Sequence, residues 1–162
     1  MLNLAKLTGI TPVEVIKCSD GDSFTAIISN RKTSCRLYGV DAPELGQVFG
    51  RHALNHLRNL IELKTLNGRI ITYDCYRRVV VDLWAFSTMR IAVLLLRAGM
   101  AWHTPRWSPD RHQLQLAMDW AQEGRIGLWK DPHPVAPWIW RRQQGHRTMA
   151  MRTSRRWRIK RP

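Results

Sequence analysis

Apolar and polar residues change their spacing several times along this chain, and each change predicts an element. Val13-Glu14-Val15-Ile16-Lys17-Cys18 reads as a strand, and Ser19-Asp20-Gly21 after it is a turn signal. Ser23 to Ile28 reads as a second strand, Ser29-Asn30-Arg31-Lys32 turns the chain again, and Thr33 to Val40 reads as a third. Short strands at this spacing suggest a β-meander, of the kind small barrels contain. Over residues 47–62 the period changes: Val48, Ala53, Leu57, Leu60 and Ile61 recur at helical spacing and mark one helix face. Asn67-Gly68 predicts a turn. Arg69 to Tyr73 and Val79 to Trp84 predict a strand pair around Asp74-Cys75-Tyr76-Arg77-Arg78. Residues 88–98 read as a short buried helix closed by Gly99, and Pro109-Asp110 opens a third helix through Gln122, ended by Gly124. Gly127-Leu128-Trp129 and Pro137-Trp138-Ile139-Trp140 are expected to pack the chain end back on the body.

Charge divides the chain where this periodicity fades. Of 162 residues, the last 22 (141–162) hold nine Lys/Arg and no Asp/Glu, while the first 140 carry a net +5 of the total +14. The expectation is one domain over residues 1–140 and a basic, disordered tail over 141–162. A balance this basic favours nucleic acid or an anionic surface as partner. The tail residues Arg152, Arg155, Arg156, Trp157, Arg158, Lys160 and Arg161 read either as a solvated end or as a nucleic-acid anchor without sequence choice. Membrane contact lacks an amphipathic pattern. The most apolar stretch, Val79 to Trp102, is interrupted by Asp82, Arg90 and Arg97, so it is not a span. No signal peptide is visible in residues 1–13, which makes a cytoplasmic origin the default and leaves non-classical export open. A monomer is the default oligomeric state. Cys18, Cys35 and Cys75 match no zinc spacing and read as structural thiols, with Cys18 and Cys35 placed where paired strands could let them face each other.

Two segments concentrate chemistry. Asp20-Gly21-Asp22-Ser23 alone is a common turn, and Asp41-Ala42-Pro43-Glu44 alone is a strand ending at Ala-Pro. Together they offer carboxylates and a carbonyl to a hard cation such as calcium, with no His or Cys to suit a softer one. Arg36, in the strand leading to Asp41, and the pair Arg77-Arg78 offer guanidinium groups. These bind phosphate bidentately and stabilise charge in a phosphoryl transition state. His52 and His56 share a helix face, but no third ligand accompanies them, so zinc is not favoured. Trp102, Trp120, Trp129, Trp138 and Trp140 read as packing residues, and Trp84 is ambiguous.

The chain resembles the staphylococcal nuclease (thermonuclease) family. The resemblance rests on Asp20-Gly21-Asp22-Ser23, Arg36-Leu37-Tyr38-Gly39-Val40-Asp41-Ala42-Pro43-Glu44, Gln47-Val48-Phe49-Gly50, Asp74-Cys75-Tyr76-Arg77-Arg78, Leu96-Arg97-Ala98-Gly99-Met100-Ala101-Trp102 and Gly127-Leu128-Trp129, in that order over roughly residues 13–140. It implies an α+β fold: a five-stranded OB-type barrel with three helices. It implies Ca2+ held by Asp22, Asp41 and the Ala42 carbonyl, Glu44 as general base on the attacking water, and Arg36 on the phosphate. Arg78 corresponds to the second arginine, Tyr76 lines the nucleotide pocket, and Trp107 falls near a base-stacking position. Products in this family carry a 3′-phosphate and a 5′-hydroxyl. The chain departs from the family at Arg77, where glycine is usual, and lacks the usual Asp-Gly turn at Ala85-Phe86-Ser87-Thr88. Either Arg77 or Arg78 could reach phosphate; the register of Val79-Val80-Val81 favours Arg78. The implied function is a calcium-dependent, sugar-nonspecific nuclease acting on DNA and RNA, best on single strands. The alternative is a non-catalytic nucleic-acid-binding module on the same barrel. The set Asp22, Arg36, Asp41, Glu44 and Arg78 is complete, which favours the enzyme.

Overall fold

The computed structural model describes residues 9–86, 88–105 and 111–145. Five strands make a closed barrel: β1 (Ile10–Cys18), β2 (Ser23–Ile28), β3 (Arg31–Leu37), β5 (Thr65–Tyr73) and β6 (Val79–Ala85). Their order is β3-β2-β1-β5-β6, all antiparallel, and β6 returns to β3 in parallel to close the sheet. Closure removes both open edges. Two short strands, β4 (Val40–Asp41) and β8 (Trp102–His103), pair with each other, and β7 (Met89–Arg90) extends β6. This is the α+β barrel architecture expected.

Two of the strands, β3 and β5, depart from the expected ranges for local reasons. The strand expected over Thr33 to Val40 breaks after Leu37. There the Leu37 amide donates to the Asp22 carbonyl (2.8 Å), the Tyr38 amide donates to the Val81 carbonyl (3.0 Å), and the chain turns at Gly39 before resuming as β4. Asn67-Gly68 is not a turn but lies inside β5, opposite Pro12 and Thr11 of β1. A Cβ at Gly68 would come within 2.5 Å of Val13 Cγ2 and 3.1 Å of Val81 Cγ2, so glycine serves close packing inside the barrel. Cys18 and Cys35 do not face each other, because Phe24 of β2 lies between them in the ladder. Both are buried free thiols.

Four α-helices are present among the described residues, one more than expected: α1 (Gly50–Ile61), α2 (Ile91–Arg97), α3 (Arg111–Glu123) and α4 over residues 137–145. Helix α1 starts later than the sequence suggested, leaving Val48 exposed, and buries Ala53, Leu57 and Ile61 against the barrel. The main core joins Val15, Phe24, Leu37, Val81 and Leu83 of the strands to Leu57, Leu95 and Leu114 of the helices. A buried ion pair, Arg90 to Asp82 at 2.7 Å, links β7 to β6, and Arg90 also donates to Gln113 of α3. A second, smaller cluster of Trp102, Leu128 and Ala136, with Trp129 stacked edge-on against Trp102, seats the start of α4. Trp120 and Trp138 are half exposed rather than packed inside; Trp120 instead stacks under Arg97. Helix α4 carries order five residues into the segment that composition assigned to the tail. Among the described residues no helix is long and apolar enough to cross a membrane.

Candidate active site

Barrel closure builds the site. The β2–β3 register sets Ser23 opposite Arg36, and the parallel β3–β6 register sets Cys35 opposite Val79, the residue after Arg78. Two arginines 42 positions apart in sequence are therefore delivered to one end of the barrel. The break at Gly39 then folds Asp41 back toward Asp22. Arg36 Nη2 lies 2.9 Å from Asp22 Oδ2 and 2.6 Å from Asp41 Oδ1, so one guanidinium nitrogen bridges two buried carboxylates.

Each carboxylate is further held. Asp22 Oδ1 accepts from the Ser23 hydroxyl at 2.8 Å, and Oδ2 accepts from the Ala42 amide at 3.3 Å, which sets the Ala42 peptide beside the pair. Burial pushes the Asp22 carboxyl above its ordinary range and the Asp41 charge adds to the rise, while Arg36 opposes it. Burial works against the charged form of Arg36, but Asp22 and Asp41 outweigh it and raise its pKa. Asp20, partly buried at the edge of the cluster, is pushed up to about 6 by burial and by the charges of Asp22 and Glu44.

Glu44 follows Pro43 in the loop after β4. Its amide donates to Gln47 Oε1 (3.2 Å), and its carbonyl accepts from the Gln47 amide (2.8 Å). Gly50 closes this loop, since a Cβ there would overlap the Glu44 carbonyl oxygen. Gln47 is buried and also donates from Nε2 to the Val135 carbonyl, tying the loop to the segment that enters α4. From α4, Arg141 donates through Nη1 to Glu44 Oε1 (2.7 Å) and through Nη2 to Asp41 Oδ2 (2.7 Å). Hydrogen bonds to Asp41 and Glu44 hold the Arg141 charge firmly, against the opposing effect of burial.

The hairpin between β5 and β6 presents the second arginine. Asp74 Oδ1 accepts from the amides of Tyr76 and Arg78, both at 2.9 Å, and Oδ2 accepts from Arg78 Nε at 2.7 Å. Arg78 Nη1 donates to the Ser23 hydroxyl at 3.0 Å, and the exposed Tyr76 ring lies 5.4 Å from the Arg78 guanidinium carbon. Arg78 is thus joined through Ser23 to Asp22. Arg77 sits at φ 62° on the exposed tip. It occupies the left-handed third position of a three-residue hairpin loop, where glycine fits without strain. Between the two candidates, the geometry places Arg78 in the cluster and Arg77 outside it.

Asp22, Arg36, Asp41, Ala42, Glu44, Tyr76 and Arg78 are therefore assembled in one region, while Trp107, Arg155, Arg156, Arg158 and Lys160 lie outside the described residues. Ser23, Gln47, Asp74 and Arg141 join the site without having been singled out for it. The first three stand within or beside the motifs already read. Arg141 carried no signal, being one of nine similar cations at the chain end. Among the described residues, no three His, Cys, Asp or Glu side chains form a ready-made cation cage, because arginines stand between the acids. The donor chemistry nonetheless suits a hard, oxygen-seeking cation. Two Asp oxygens converge on one nitrogen, a backbone peptide lies alongside, and Asp20, Asp22, Asp41 and Glu44 outnumber Arg36 and Arg141 within a strongly basic protein.

A family model described as staphylococcal nuclease homologue matches residues 34–131. An Escherichia coli protein named as an uncharacterized endonuclease is 32% identical over 130 residues, covering 80% of this chain and 84% of that protein. A Haemophilus influenzae protein with the same name is 35% identical over 131 residues, covering 80% and 72% respectively. A micrococcal nuclease of Shigella flexneri is 29% identical over 144 residues, covering 83% of each chain.

Proposed function

The chain belongs to the staphylococcal nuclease family, and from that footing we propose that it is a nuclease that hydrolyses phosphodiester bonds of DNA and RNA with the help of calcium. The observation that carries this reading is a continuous chain of polar contacts: Arg78, Ser23, Asp22, Arg36, Asp41, Arg141 and Glu44. It gathers Arg36 and Arg78 with the carboxylates of Asp22, Asp41 and Glu44, a set of groups suited to phosphodiester hydrolysis. A binding module would need the basic groups but not a carboxylate set kept buried against desolvation.

Asp22, Asp41 and the Ala42 carbonyl would hold a calcium ion, which when bound supplies positive charge to a phosphoryl oxygen. The protein's own groups do the rest. Glu44 takes a proton from the attacking water as its oxygen bonds to phosphorus. The P–O5′ bond breaks in line and the departing O5′ takes a proton from solvent water, leaving a 3′-phosphate and a 5′-hydroxyl. Arg36 donates to a nonbridging oxygen and, held by buried carboxylates, needs little reorganisation to do so. Arg78, braced by Asp74, meets charge developing toward the leaving oxygen. Tyr76, exposed beside Arg78, offers a face for an unpaired base, which supports a preference for single strands.

Digestion of labelled single-stranded DNA in calcium, in magnesium and in EGTA, with Glu44→Gln as control, tests this. Calcium-dependent cleavage that the variant loses is expected. Tight binding with no cleavage in any cation would establish the binding module instead.

A further inference from the structure

Arg141 is a charged group in the site that the proposed reaction does not use. Its two nitrogens span Asp41 and Glu44, the residues proposed as cation ligand and general base, each at 2.7 Å. While that contact holds, Asp41 Oδ2 and Glu44 Oε1 each accept a hydrogen bond from Arg141, in competition with a cation at Asp41 and a water proton at Glu44. The contact is also built to open. The Arg141 side chain is 44% exposed, whereas Asp41 is 5% exposed. Arg141 stands on α4, seated by the small Trp102–Leu128–Ala136 cluster and by Gln47 to Val135, outside the main barrel core. Arg36 differs, being fixed in the barrel wall between Asp22 and Asp41.

We propose that Arg141 is an exchange residue: it neutralises Asp41 and Glu44 in the resting site, and it is drawn off them when a divalent cation takes Asp41 and a phosphate of the strand takes the guanidinium. The proposal rests on the nuclease reading above. Both new pairings are chemically matched, since a hard cation prefers carboxylate oxygen and a guanidinium fork fits two phosphate oxygens. Because one event supplies both, cation and strand assist each other's binding, and that coupling is reciprocal. Arg141 thereby links general-base availability to substrate arrival, which a residue packed only for structure would not do.

The test is calorimetric titration of calcium chloride into the full chain, with and without a cleavage-resistant phosphorothioate oligothymidylate, for wild type and Arg141→Gln. Wild type is expected to bind calcium about tenfold more tightly with the oligonucleotide than without it, equal to about 1.4 kcal/mol. Arg141→Gln is expected to bind calcium roughly tenfold more tightly than wild type in the absence of oligonucleotide, and to gain less than about threefold when it is added. Should Arg141→Gln fail to fold, Arg141→Lys serves, with an intermediate affinity expected because an ammonium is a point donor. Equal calcium affinity in wild type and variant, in a wild-type chain that cleaves DNA in calcium, would overturn the exchange and leave the nuclease reading standing. A wild type with neither calcium binding nor cleavage would overturn both.

Discussion

Arg77→Gly is expected to stabilise the protein while leaving cleavage almost untouched. Arg77 holds φ 62° at the tip of the β5–β6 hairpin, where its amide donates to the Asp74 carbonyl at 3.0 Å and the Asp74 amide donates to the Arg78 carbonyl at 3.0 Å. The loop geometry is thus fixed by its neighbours, and the residue must adopt the left-handed conformation whatever its side chain. That conformation costs a non-glycine residue roughly 1–2 kcal/mol. Glycine removes the cost but loses about 0.5–1 kcal/mol more in chain entropy on folding. The difference is a gain of about 0.5–1 kcal/mol, which for a domain of this size raises Tm by roughly 1–4 °C. Arg77→Ala is the control, because it removes the charge and stem but keeps the strain. Urea melts of the three proteins with a shared m value give the free energies, and initial rates on labelled single-stranded DNA give the activity. Glycine should exceed alanine by about 1 kcal/mol, with both variants within about threefold of the wild-type rate. Alanine equal to or more stable than glycine would show that this position is not left-handed. A hundredfold rate loss in both variants would show that Arg77 serves the chemistry after all.

Arg78→Ala, by contrast, should lower the cleavage rate by about 10²–10³, the usual effect of deleting one preorganised charge donor, with the same urea melts showing a change under about 1 kcal/mol. Arg90→Ala should destabilise the fold by about 3–5 kcal/mol in denaturant melts, because it takes the bidentate partner from the buried Asp82; a loss under 1 kcal/mol would mean that the pair is not buried in solution. Burial, with Glu62 adding to it, pushes the Cys18 thiol up to about 12, and burial pushes Cys35 up to about 11, while Cys75 is exposed. Both folded values lie above the ordinary thiol value of 9.0, so the stability linked to these thiols is complete below about pH 9 and is lost as pH rises through 11–12. A thiol reagent at pH 8 should accordingly label one cysteine in the native chain and three after denaturation. Truncation after Gly145 keeps α4 but removes seven Lys/Arg. The slope of log K against log salt for single-stranded DNA should then fall by up to about 5, and an unchanged slope would show that these residues do not touch phosphate.

The parts of the site that were legible before folding are those carried by contiguous residues. Asp22, Asp41 and Glu44 announce themselves because turns and an Ala-Pro strand end fix their local geometry, and Arg36 because it shares a short segment with two of them. The choice between Arg77 and Arg78 was only half legible. Glycine's absence could be seen, but the side on which each side chain emerges depends on the hairpin's bulge and on the parallel pairing of Cys35 with Val79, a contact between residues 44 apart. Asn67-Gly68 misled for a related reason. Turn residues are favoured at turns for their backbone freedom, yet Gly68 is present for its missing side chain, and only the positions of Val13 and Val81 reveal that use. Arg141 was the least legible. Its importance comes from tertiary delivery: α4 is short, its seating cluster draws on Trp102, Leu128 and Ala136 from three separate segments, and its partners lie about 100 residues earlier. No local pattern can encode such a contact, whereas the local charge pattern pointed to solvent. A basic run at the end of a nucleic-acid enzyme therefore cannot be treated as uniform. Its first residue here answers to carboxylates in the barrel, and variants that remove the whole run would mix that effect with whatever the later residues do on nucleic acid. Comparing truncation after Gly145 with Arg141→Gln separates the two, because only the substitution removes the Arg141 contacts to Asp41 and Glu44.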